Sequence, residues 1–260
     1  MNKIISKTYL AADVAQLVVE APMVAQSQHA GQFVVVRCGN QGERIPLSIV
    51  NADPSAGTIT LVVKAVGLST GKICALDTGD SLTDVMGPLG LPSPIENYGT
   101  VVCCCGGMGT TGILPIMRAL KSAGCRVICV TDGFVLADSL HEASHEVTQI
   151  HGDNLANAAA DAVKQITGST TVDRVIVSGP VAMMKAVAQA TQGIATRALL
   201  RSIVVGGMGM CGSCRVTVDG VTRHVCADGP EFDAHQVDFD NLALRLGENL
   251  SDAKPTSCDD

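Results

Sequence analysis

Cys211-Gly-Ser-Cys214-Arg-Val-Thr-Val-Asp-Gly-Val-Thr-Arg-His-Val-Cys226 joins two cysteines three positions apart, a run of β-branched residues and a third cysteine. The pattern predicts a loop, a short hairpin and a return of the chain to the same point in space, which indicates a metal pocket. Glycines precede the first cysteine and follow it directly, so backbone amides are free to turn toward sulfur ligands. These features make Cys211, Cys214 and Cys226 the candidate metal ligands.

Two other interpretations of this pocket compete with an iron–sulfur cluster. Reduced structural thiols in a glycine-rich turn are the simplest, but cysteines at both ends of a hairpin are placed as ligands usually are. A structural zinc site needs a second Cys or His pair. Downstream of Cys226 only His235 and Cys258 remain, at no zinc-like spacing. The sequence therefore favours a [2Fe-2S] cluster.

The same region resembles a known flavoprotein family. The segments Met210-Cys-Gly-Ser-Cys-Arg-Val-Thr-Val218 and Cys226-Ala-Asp-Gly-Pro-Glu-Phe-Asp233 are similar to its C-terminal cluster region. The family contains the small subunit of NADH-dependent reduced ferredoxin:NADP oxidoreductase, the sulfide dehydrogenase small subunit and, more distantly, the electron-transfer subunit of dihydroorotate dehydrogenase. The resemblance implies FAD, a [2Fe-2S] cluster, NAD(H) as substrate and a larger flavoprotein or iron–sulfur partner subunit, with ferredoxin reached through that partner.

The fourth cluster ligand is where the chain departs from this family. Relatives place an Asp or a Cys five positions before the first cysteine, and here that position is Gly206. Two irons that share two sulfides need four terminal ligands, and the three cysteines supply three. The candidates are Cys258, an Asp such as Asp219 or Asp228, water, or a side chain of the partner. We expect three thiolates and a non-cysteine ligand.

Composition excludes several functions. The 260 residues include 18 Lys and Arg against 25 Asp and Glu, a net charge of −7 that does not attract nucleic acid or anionic lipid. Two Tyr, four Phe and no Trp leave little for base stacking. We find no apolar run near the ~20 residues of a membrane span and no signal peptide, so we expect a cytoplasmic protein. The consecutive Cys103, Cys104 and Cys105 are expected to be buried free thiols.

The sequence pattern of residues 1–97 predicts an antiparallel β-barrel, which by the family resemblance binds FAD. Short β runs alternate with turn signals, and one helix is expected over Ser69 to Leu76. The segment Gly87-Pro-Leu-Gly90 is interpreted as the start of a rigid linker. The expected β runs are Lys3 to Tyr9, Val14 to Glu20, Gln32 to Cys38, Arg44 to Val50, Thr58 to Lys64 and Ser81 to Val85.

Two motifs of this barrel predict the flavin site. One strand carries a cation, a rigid proline and a hydroxyl, and a glycine followed by two hydroxyls opens the helix. Alone, each also fits an ordinary surface arginine or an ordinary helix cap. By the family resemblance, Arg44 and the helix start hold the FAD phosphates, while Ser48 hydrogen-bonds the flavin ring and is the candidate catalytic residue. The expected flavin contacts are Arg44, Pro46, Leu47, Ser48, Lys64, Gly67, Ser69 and Thr70.

Residues 98–203 predict a Rossmann-like NAD(P)-binding domain, because apolar strands alternate with helical segments. The glycines of a G-x-G-x-x-G motif follow the first strand, and an acid ends the second strand, where it favours NADH over NADPH. A glycine-rich turn that serves only close packing is the alternative. The expected nucleotide contacts are Gly107, Gly109, Gly112, Asp132, Gly179, Pro180 and Met183.

The sequence thus predicts a ferredoxin-reductase-like FAD barrel, a Rossmann-like nucleotide domain and, over 204–260, a [2Fe-2S] module with a tail. The function we infer is an oxidoreductase subunit that passes electrons between NADH, FAD and the cluster to a larger partner, in an electron-bifurcating or transhydrogenase-like complex. The partner surface is expected at Gly206 to Met210 and Phe232 to Leu246. A relay subunit with a degenerate nucleotide site and a zinc-stabilised binding module are the rival interpretations.

Overall fold

The computed structural model describes residues 2–152, 154–248 and 250. Its first part is built from antiparallel strands in two sheets, ordered β5-β6-β2-β1-β7 and β4-β3-β8. Two short helices cover this part, α1 at Pro22–Ser27 and α2 at Leu68–Ala75. The strands are β1 Asn2–Ala11, β2 Val14–Glu20, β3 Phe33–Arg37, β4 Ile45–Ser48, β5 Asn51–Asp53, β6 Thr58–Lys64, β7 Ser81–Leu82 and β8 Asp84–Leu89.

The barrel core forms because alternate residues of these strands are apolar and face inward. Leu17 of β2, Val34 of β3 and Leu61 of β6 are fully buried in one cluster, which Ile73 of α2 completes. The barrel prediction is confirmed, with eight strands instead of six. The fourth expected run, Arg44 to Val50, is a strand only over β4, and the short strand β5 follows just beyond its end.

The expected linker at Gly87-Pro-Leu-Gly90 is wrong for its first three residues. They continue β8, and Leu89 pairs with Phe33 of β3. A proline is tolerated here because β8 is the edge of the three-stranded sheet, where a missing backbone N–H breaks no ladder. After this strand, residues 90–99 connect the barrel to the second domain, whose first strand begins at Thr100.

The second part is a six-stranded sheet with helices on both faces, in the order β11-β10-β9-β12-β13-β16. The first five strands are parallel, and β16 runs antiparallel to β13. Its elements are β9 Thr100–Cys105, α3 Thr110–Ser122, β10 Arg126–Thr131, α4 Ala137–Ala143, β11 Glu146–Gln149, α5 Leu155–Ser169, β12 Arg174–Ser178, α6 Val181–Ala190, β13 Ala195–Leu199 and β16 Glu231–Asp233.

The central strand β9 explains the cysteine run. Cys104 faces the core that includes α5 and α6, while Cys103 and Cys105 face the opposite core with α3. All three are free and fully buried, as the sequence predicts. Small apolar side chains suit a strand that helices cover on both faces.

The cluster segment consists of β14 Arg215–Val218, β15 Val221–His224, α7 Val225–Asp228 and, after β16, α8 Phe239–Leu246. The hairpin β14-β15 returns the chain from Cys214 to Cys226, as predicted. Strand β16 then joins the edge of the nucleotide sheet through Ala198 and Phe232. The division into domains 1–97, 98–203 and 204–260 remains a proposal. In this division, β16 belongs to the third domain but pairs with the sheet of the second. No helix in the described residues is long and apolar enough to cross a membrane.

Candidate functional site

A cavity of about 550 Å³ lies between the barrel and the carboxyl ends of the parallel strands. Ligands of open α/β sheets bind at this edge. It brings together most of the residues that the sequence predicts for flavin and nucleotide. Those that line it are Pro46, Leu47, Ser48, Lys64, Gly107, Gly109, Gly112, Asp132, Gly179 and Pro180.

The barrel wall of the cavity is β4. Leu47 and Ser48 pair with Val34 and Phe33 of β3, which fixes their orientation. A Cβ at Gly112, in the first turn of α3, would lie 3.2 Å from Ser48 Oγ and 2.6 Å from a methyl group of Leu199. Glycine at 112 therefore lets the nucleotide domain approach the Ser48 hydroxyl, and a larger residue would close this part of the cleft.

The opposite wall is the glycine-rich turn after β9. A Cβ at Gly109 would lie 2.3 Å from the Ser178 carbonyl oxygen, so the turn packs against the end of β12 as only glycine permits. Met183 is fully buried, and its sulfur would be 2.8 Å from a Cβ at Gly106. Met183 thus supports the turn from below and is absent from the cavity lining described here.

Asp132, at the end of β10, is tied to the backbone on both carboxylate oxygens. It accepts a hydrogen bond from the Gly107 amide at 2.8 Å and another from the Phe134 amide at 3.1 Å. Both bonds hold the acid at the cavity rim, where it still lines the cavity. The carboxylate therefore fixes the glycine turn and keeps a negative charge beside it.

The residues predicted to grip the FAD phosphates lie outside the cavity lining. Arg44 Nη1 donates to the Val205 carbonyl at 3.1 Å, and the Ser69 hydroxyl donates to the Glu43 carboxylate. The Thr70 hydroxyl accepts from the Gly67 amide at 3.1 Å, as a helix cap does. Since Glu43 precedes Arg44 in sequence, the start of α2 and the Arg44 backbone are neighbours. Their phosphate role remains a prediction.

Two side chains that line the cavity, a lysine and a phenylalanine, place a positive charge against an aromatic ring. Lys64 is buried, lies 3.5 Å from Asp13 and is 4.7 Å from the centroid of the Phe134 ring. A cation over a ring is attracted by the electrons of its face. Phe134 was not predicted from the sequence. It follows the carboxyl end of β10 by three residues, and residues at such strand ends often line ligand cavities.

The candidate metal pocket holds its three thiols as a pair and a separate group. Cys214 Sγ and Cys226 Sγ are 3.1 Å apart, and both residues are buried. The Val225 amide donates to the Cys214 carbonyl at 3.0 Å, and the Gly209 amide donates to Cys226 Sγ at 3.1 Å. The Gly209 amide thus points at a sulfur, a hydrogen bond of the kind that tunes iron–sulfur sites, and the Val225 amide ties the two cysteine segments together.

Cys211 is exposed, in contrast to this buried pair. Hydrogen bonds from the Ser213 side chain and backbone and from the Gly206 backbone lower the pKa of Cys211 to about 7. Burial, followed by the bond with Cys214, raises the pKa of Cys226 to about 11. Among the described residues no three Cys, His, Asp or Glu side chains converge on one metal ion.

Further residues that line the cavity were not predicted from the sequence. Glu248 accepts from the Val181 amide at 2.9 Å and forms an ion pair with Arg201. Val225 and Pro230 also line the cavity, and each belongs to the cluster segment. Glu248 follows α8, about seventy residues from α6, so no local motif could reveal it. Arg201 follows β13 and shares the strand-end signal.

The two segments of the expected partner surface differ in their exposure, and their role as an interface remains a prediction. Met208 is 66% exposed and Met210 is 87% exposed in the loop before Cys211. In contrast, Phe232 and Phe239 are buried, because β16 pairs with the sheet and α8 packs on the same core. The segment Phe232 to Leu246 therefore buries its apolar side chains in the core at some positions and is exposed at others, with Leu244 as its large exposed apolar residue.

Comparisons with known proteins place this site in context. The iron–sulfur cluster binding domain of dihydroorotate dehydrogenase B matches residues 202–238. A dihydroorotate dehydrogenase B electron-transfer subunit homolog of Thermotoga maritima is 37% identical over 95% of this chain and 91% of its own length. The electron-transfer subunit of that enzyme from Shouchella clausii is 28% identical over 90% of this chain and 96% of its own.

Two solved structures are similar to this chain over most of its length. A chain of the NADH-dependent reduced ferredoxin-NADP oxidoreductase, a structure concerned with flavin-based electron bifurcation, superposes with a TM-score of 0.88 at 36% identity, over 95% of this chain and 93% of that one. Phthalate dioxygenase reductase shares the fold, with a TM-score of 0.61 at 19% identity over 86% and 92% of the two chains.

The fold and the site define an oxidoreductase subunit for electron transfer, with a ferredoxin-reductase-like FAD-binding barrel, a nucleotide-binding domain and an iron–sulfur cluster binding domain. The chain belongs to the family of dihydroorotate dehydrogenase B electron-transfer subunits. The predicted family, fold class, electron-transfer function and the cofactors FAD and an iron–sulfur cluster are thereby confirmed, and the relatives named above are NAD(H)-linked.

Proposed function

We propose that this chain takes electrons from NADH into an FAD bound in the 550 Å³ cavity and passes them through a [2Fe-2S] cluster to a larger partner subunit. The observation that carries the proposal is the wall shared by the two sites. Val225 lines the cavity, directly precedes Cys226 and bonds to the Cys214 carbonyl through its amide. A bound flavin supplies the conversion of a hydride into single electrons.

The residues around the cavity orient the rings and exclude water. Leu47 and Pro46 offer an apolar wall for the isoalloxazine, and the Ser48 hydroxyl is placed to hydrogen-bond its edge. Gly112 leaves room beside that hydroxyl. Lys64, held near Asp13 and Phe134, supplies a positive charge that stabilises negative charge on a nearby ring.

The nucleotide side is assigned to the turns after β9, β10 and β12. Gly107 and Gly179 line the cavity and have positive φ angles of 53° and 157°, which glycine adopts readily in such turns. Asp132 stabilises the first turn and repels a 2′-phosphate, which favours NADH over NADPH.

The partner is proposed to be a larger flavoprotein or iron–sulfur subunit in the cytoplasm. Relatives of this chain are electron-transfer subunits of larger enzymes, and one similar chain comes from a structure concerned with electron bifurcation. Met208 and Met210 present an apolar surface beside the cluster loop, of the kind that protein partners cover. Ferredoxin would then be reached through the partner.

A relay subunit that does not use nucleotide is the second candidate. It is favoured by two carboxylates that already occupy amides on the nucleotide side, Asp132 on Gly107 and Glu248 on Val181. Adding NADH anaerobically to the purified chain separates the two functions. Bleaching of the bound flavin supports the NADH-linked subunit, and a flavin that only dithionite reduces supports the relay.

Analysis of flavin, iron, acid-labile sulfide and zinc in the same preparation tests the cofactors. The proposed function predicts about one FAD and one two-iron, two-sulfide cluster per chain. One tightly bound zinc without sulfide would contradict it. Affinity purification from the native cell should recover a larger redox subunit with the chain, and recovery of the chain alone would contradict the proposed complex.

A further inference from the structure

The cluster pocket supplies one thiol too few within the described residues. A cluster of two irons and two sulfides needs two terminal ligands on each iron. Cys211, Cys214 and Cys226 supply three. Their arrangement indicates which iron lacks a ligand.

The buried thiols form one ligand pair. Cys214 Sγ and Cys226 Sγ are 3.1 Å apart, close enough to bind the same iron. They lie beside the flavin cavity, because Val225 connects the cavity wall to both cysteines. This pair therefore defines an inner iron.

Cys211 faces a position that has no side chain. A Cβ at Gly206 would lie 3.2 Å from Cys211 Sγ and 3.7 Å from its Cβ. A donor at 206 would thus share an iron with Cys211. Gly206 does not have the positive φ that Gly207, Gly209 and Gly212 have, so its backbone does not require glycine.

The outer position is open and has a positive charge nearby. Cys211 is exposed, as are Met208 and Met210 of the same loop. The Arg44 guanidinium bonds to the carbonyl of Val205, the residue before Gly206, at 3.1 Å. An anion or a polarised water at the outer iron would be attracted by this cation.

We propose that the outer iron, ligated by Cys211, keeps its second terminal position beside Gly206 open to a small exchangeable donor, namely water, hydroxide or a small anion such as cyanide. The inference rests on the proposed function, since it requires the cluster. It assigns different roles to the residues that would hold the two irons: Cys214 and Cys226 would hold the one nearer the cavity, and Cys211 would hold the one that exchanges ligands with solvent.

The test uses the full-length chain, loaded with FAD and cluster and kept anaerobic. The dithionite-reduced protein is prepared in ¹⁷O-enriched water, and the EPR spectrum is compared with that in ordinary water. Wild type should show ¹⁷O broadening that cyanide removes. Gly206→Cys and Gly206→Asp should show none, because each supplies a ligand beside Cys211. Gly206→Ala is the matched control, since its methyl group cannot ligate, and it should keep the broadening.

The lifetime of the cluster in air gives a second readout. Gly206→Cys should lengthen it by about ten-fold or more relative to Gly206→Ala, because a completed ligand set resists exchange. An equal lifetime of the two variants would overturn the inference, because the added thiol would then have completed no ligand set.

Two results distinguish failure of this inference from failure of the proposed function. Wild type with two irons, two sulfides and no ¹⁷O broadening would overturn only the open position. Loss of the cluster signal in Cys258→Ser would do the same, because it would show that the tail, which lies outside the described residues, supplies the ligand. A chain without iron and sulfide would overturn both.

Discussion

The Asp132 carboxylate accepts a hydrogen bond from the Gly107 amide at 2.8 Å, and this bond joins the end of β10 to the glycine turn after β9. One acid thus does two things at the nucleotide side of the cavity. It holds the turn in place, and under the proposed function its negative charge would face the ribose of a bound NADH.

Asp132→Asn should raise the preference for NADPH relative to NADH. A carboxylate about 4 Å from a 2′-phosphate contributes roughly 4 kcal/mol of repulsion at an effective dielectric near 20, and the amide removes it. We expect the NADPH to NADH ratio of second-order rates for anaerobic flavin reduction to rise by at least about ten-fold, since salt screens part of the repulsion. Asp138→Asn, an equal charge change on exposed α4, is the control and should leave the ratio unchanged. An unchanged ratio in Asp132→Asn would remove Asp132 from nucleotide recognition.

Arg44→Ala should release FAD more readily. A charge-assisted hydrogen bond is worth about 1.5 to 3 kcal/mol, so FAD affinity should fall by about ten- to a hundred-fold if Arg44 binds a phosphate. FAD retention after dilution and gel filtration measures this. Arg44→Lys keeps the charge and should lose less. Because Arg44 also bonds to the Val205 carbonyl, a variant with normal FAD but a more air-sensitive cluster would limit its role to the loop.

Gly109→Ala should destabilise the folded chain, whereas Gly71→Ala should not. A Cβ at 109 would meet the Ser178 carbonyl oxygen at 2.3 Å, and backbone cannot move as a flexible side chain can. We expect a loss of about 3 kcal/mol in the free energy of unfolding. Gly71, in α2, has no atom within 4 Å of its Cβ position, so alanine there should stabilise by about 0.5 to 1 kcal/mol. Denaturant unfolding of both variants tests the contrast, and equal midpoints would contradict the packing of the glycine turn.

Cys211 should be the most reactive thiol of the cofactor-free chain. Its pKa is lowered to about 7, so the thiolate fraction rises as pH increases through 7 and is nearly complete above pH 8. Burial raises the pKa of Cys103 and Cys104, which stay protonated and inaccessible. Iodoacetamide followed by peptide mass mapping should label Cys211 first, at a rate that falls below pH 7. A flat rate between pH 6 and pH 8 would contradict the lowered pKa, and loading the cluster should protect the residue.

Local patterns in the sequence predict most of the fold and one half of the site. Apolar strands that precede glycine turns predict the parallel sheet, and the Cys211 to Cys226 hairpin predicts its own closure. The sequence does not show that β16 returns to the sheet or that Glu248 reaches Val181, since those contacts join residues far apart in the chain. The sequence wrongly indicates a linker at Pro88, because proline is rare inside sheets. It is accepted in an edge strand, and only the structure shows that β8 is one.

The phosphate residues illustrate the same difference. Arg44, Ser69 and Thr70 are singled out by residue type, yet their partners in the structure are Val205, Glu43 and Gly67. Residue type predicts what a side chain can bind, whereas the folded backbone decides which partner is within reach.

The central claim is that FAD in the cavity connects NADH to the cluster. It is tested most directly by removing FAD from the anaerobic protein while the cluster is retained, adding NADH, and recording the EPR signal of the reduced cluster before and after FAD is restored. The account predicts no cluster signal without FAD and a full signal once FAD is bound. A cluster that NADH reduces equally well without FAD, or fails to reduce with FAD bound, would contradict it.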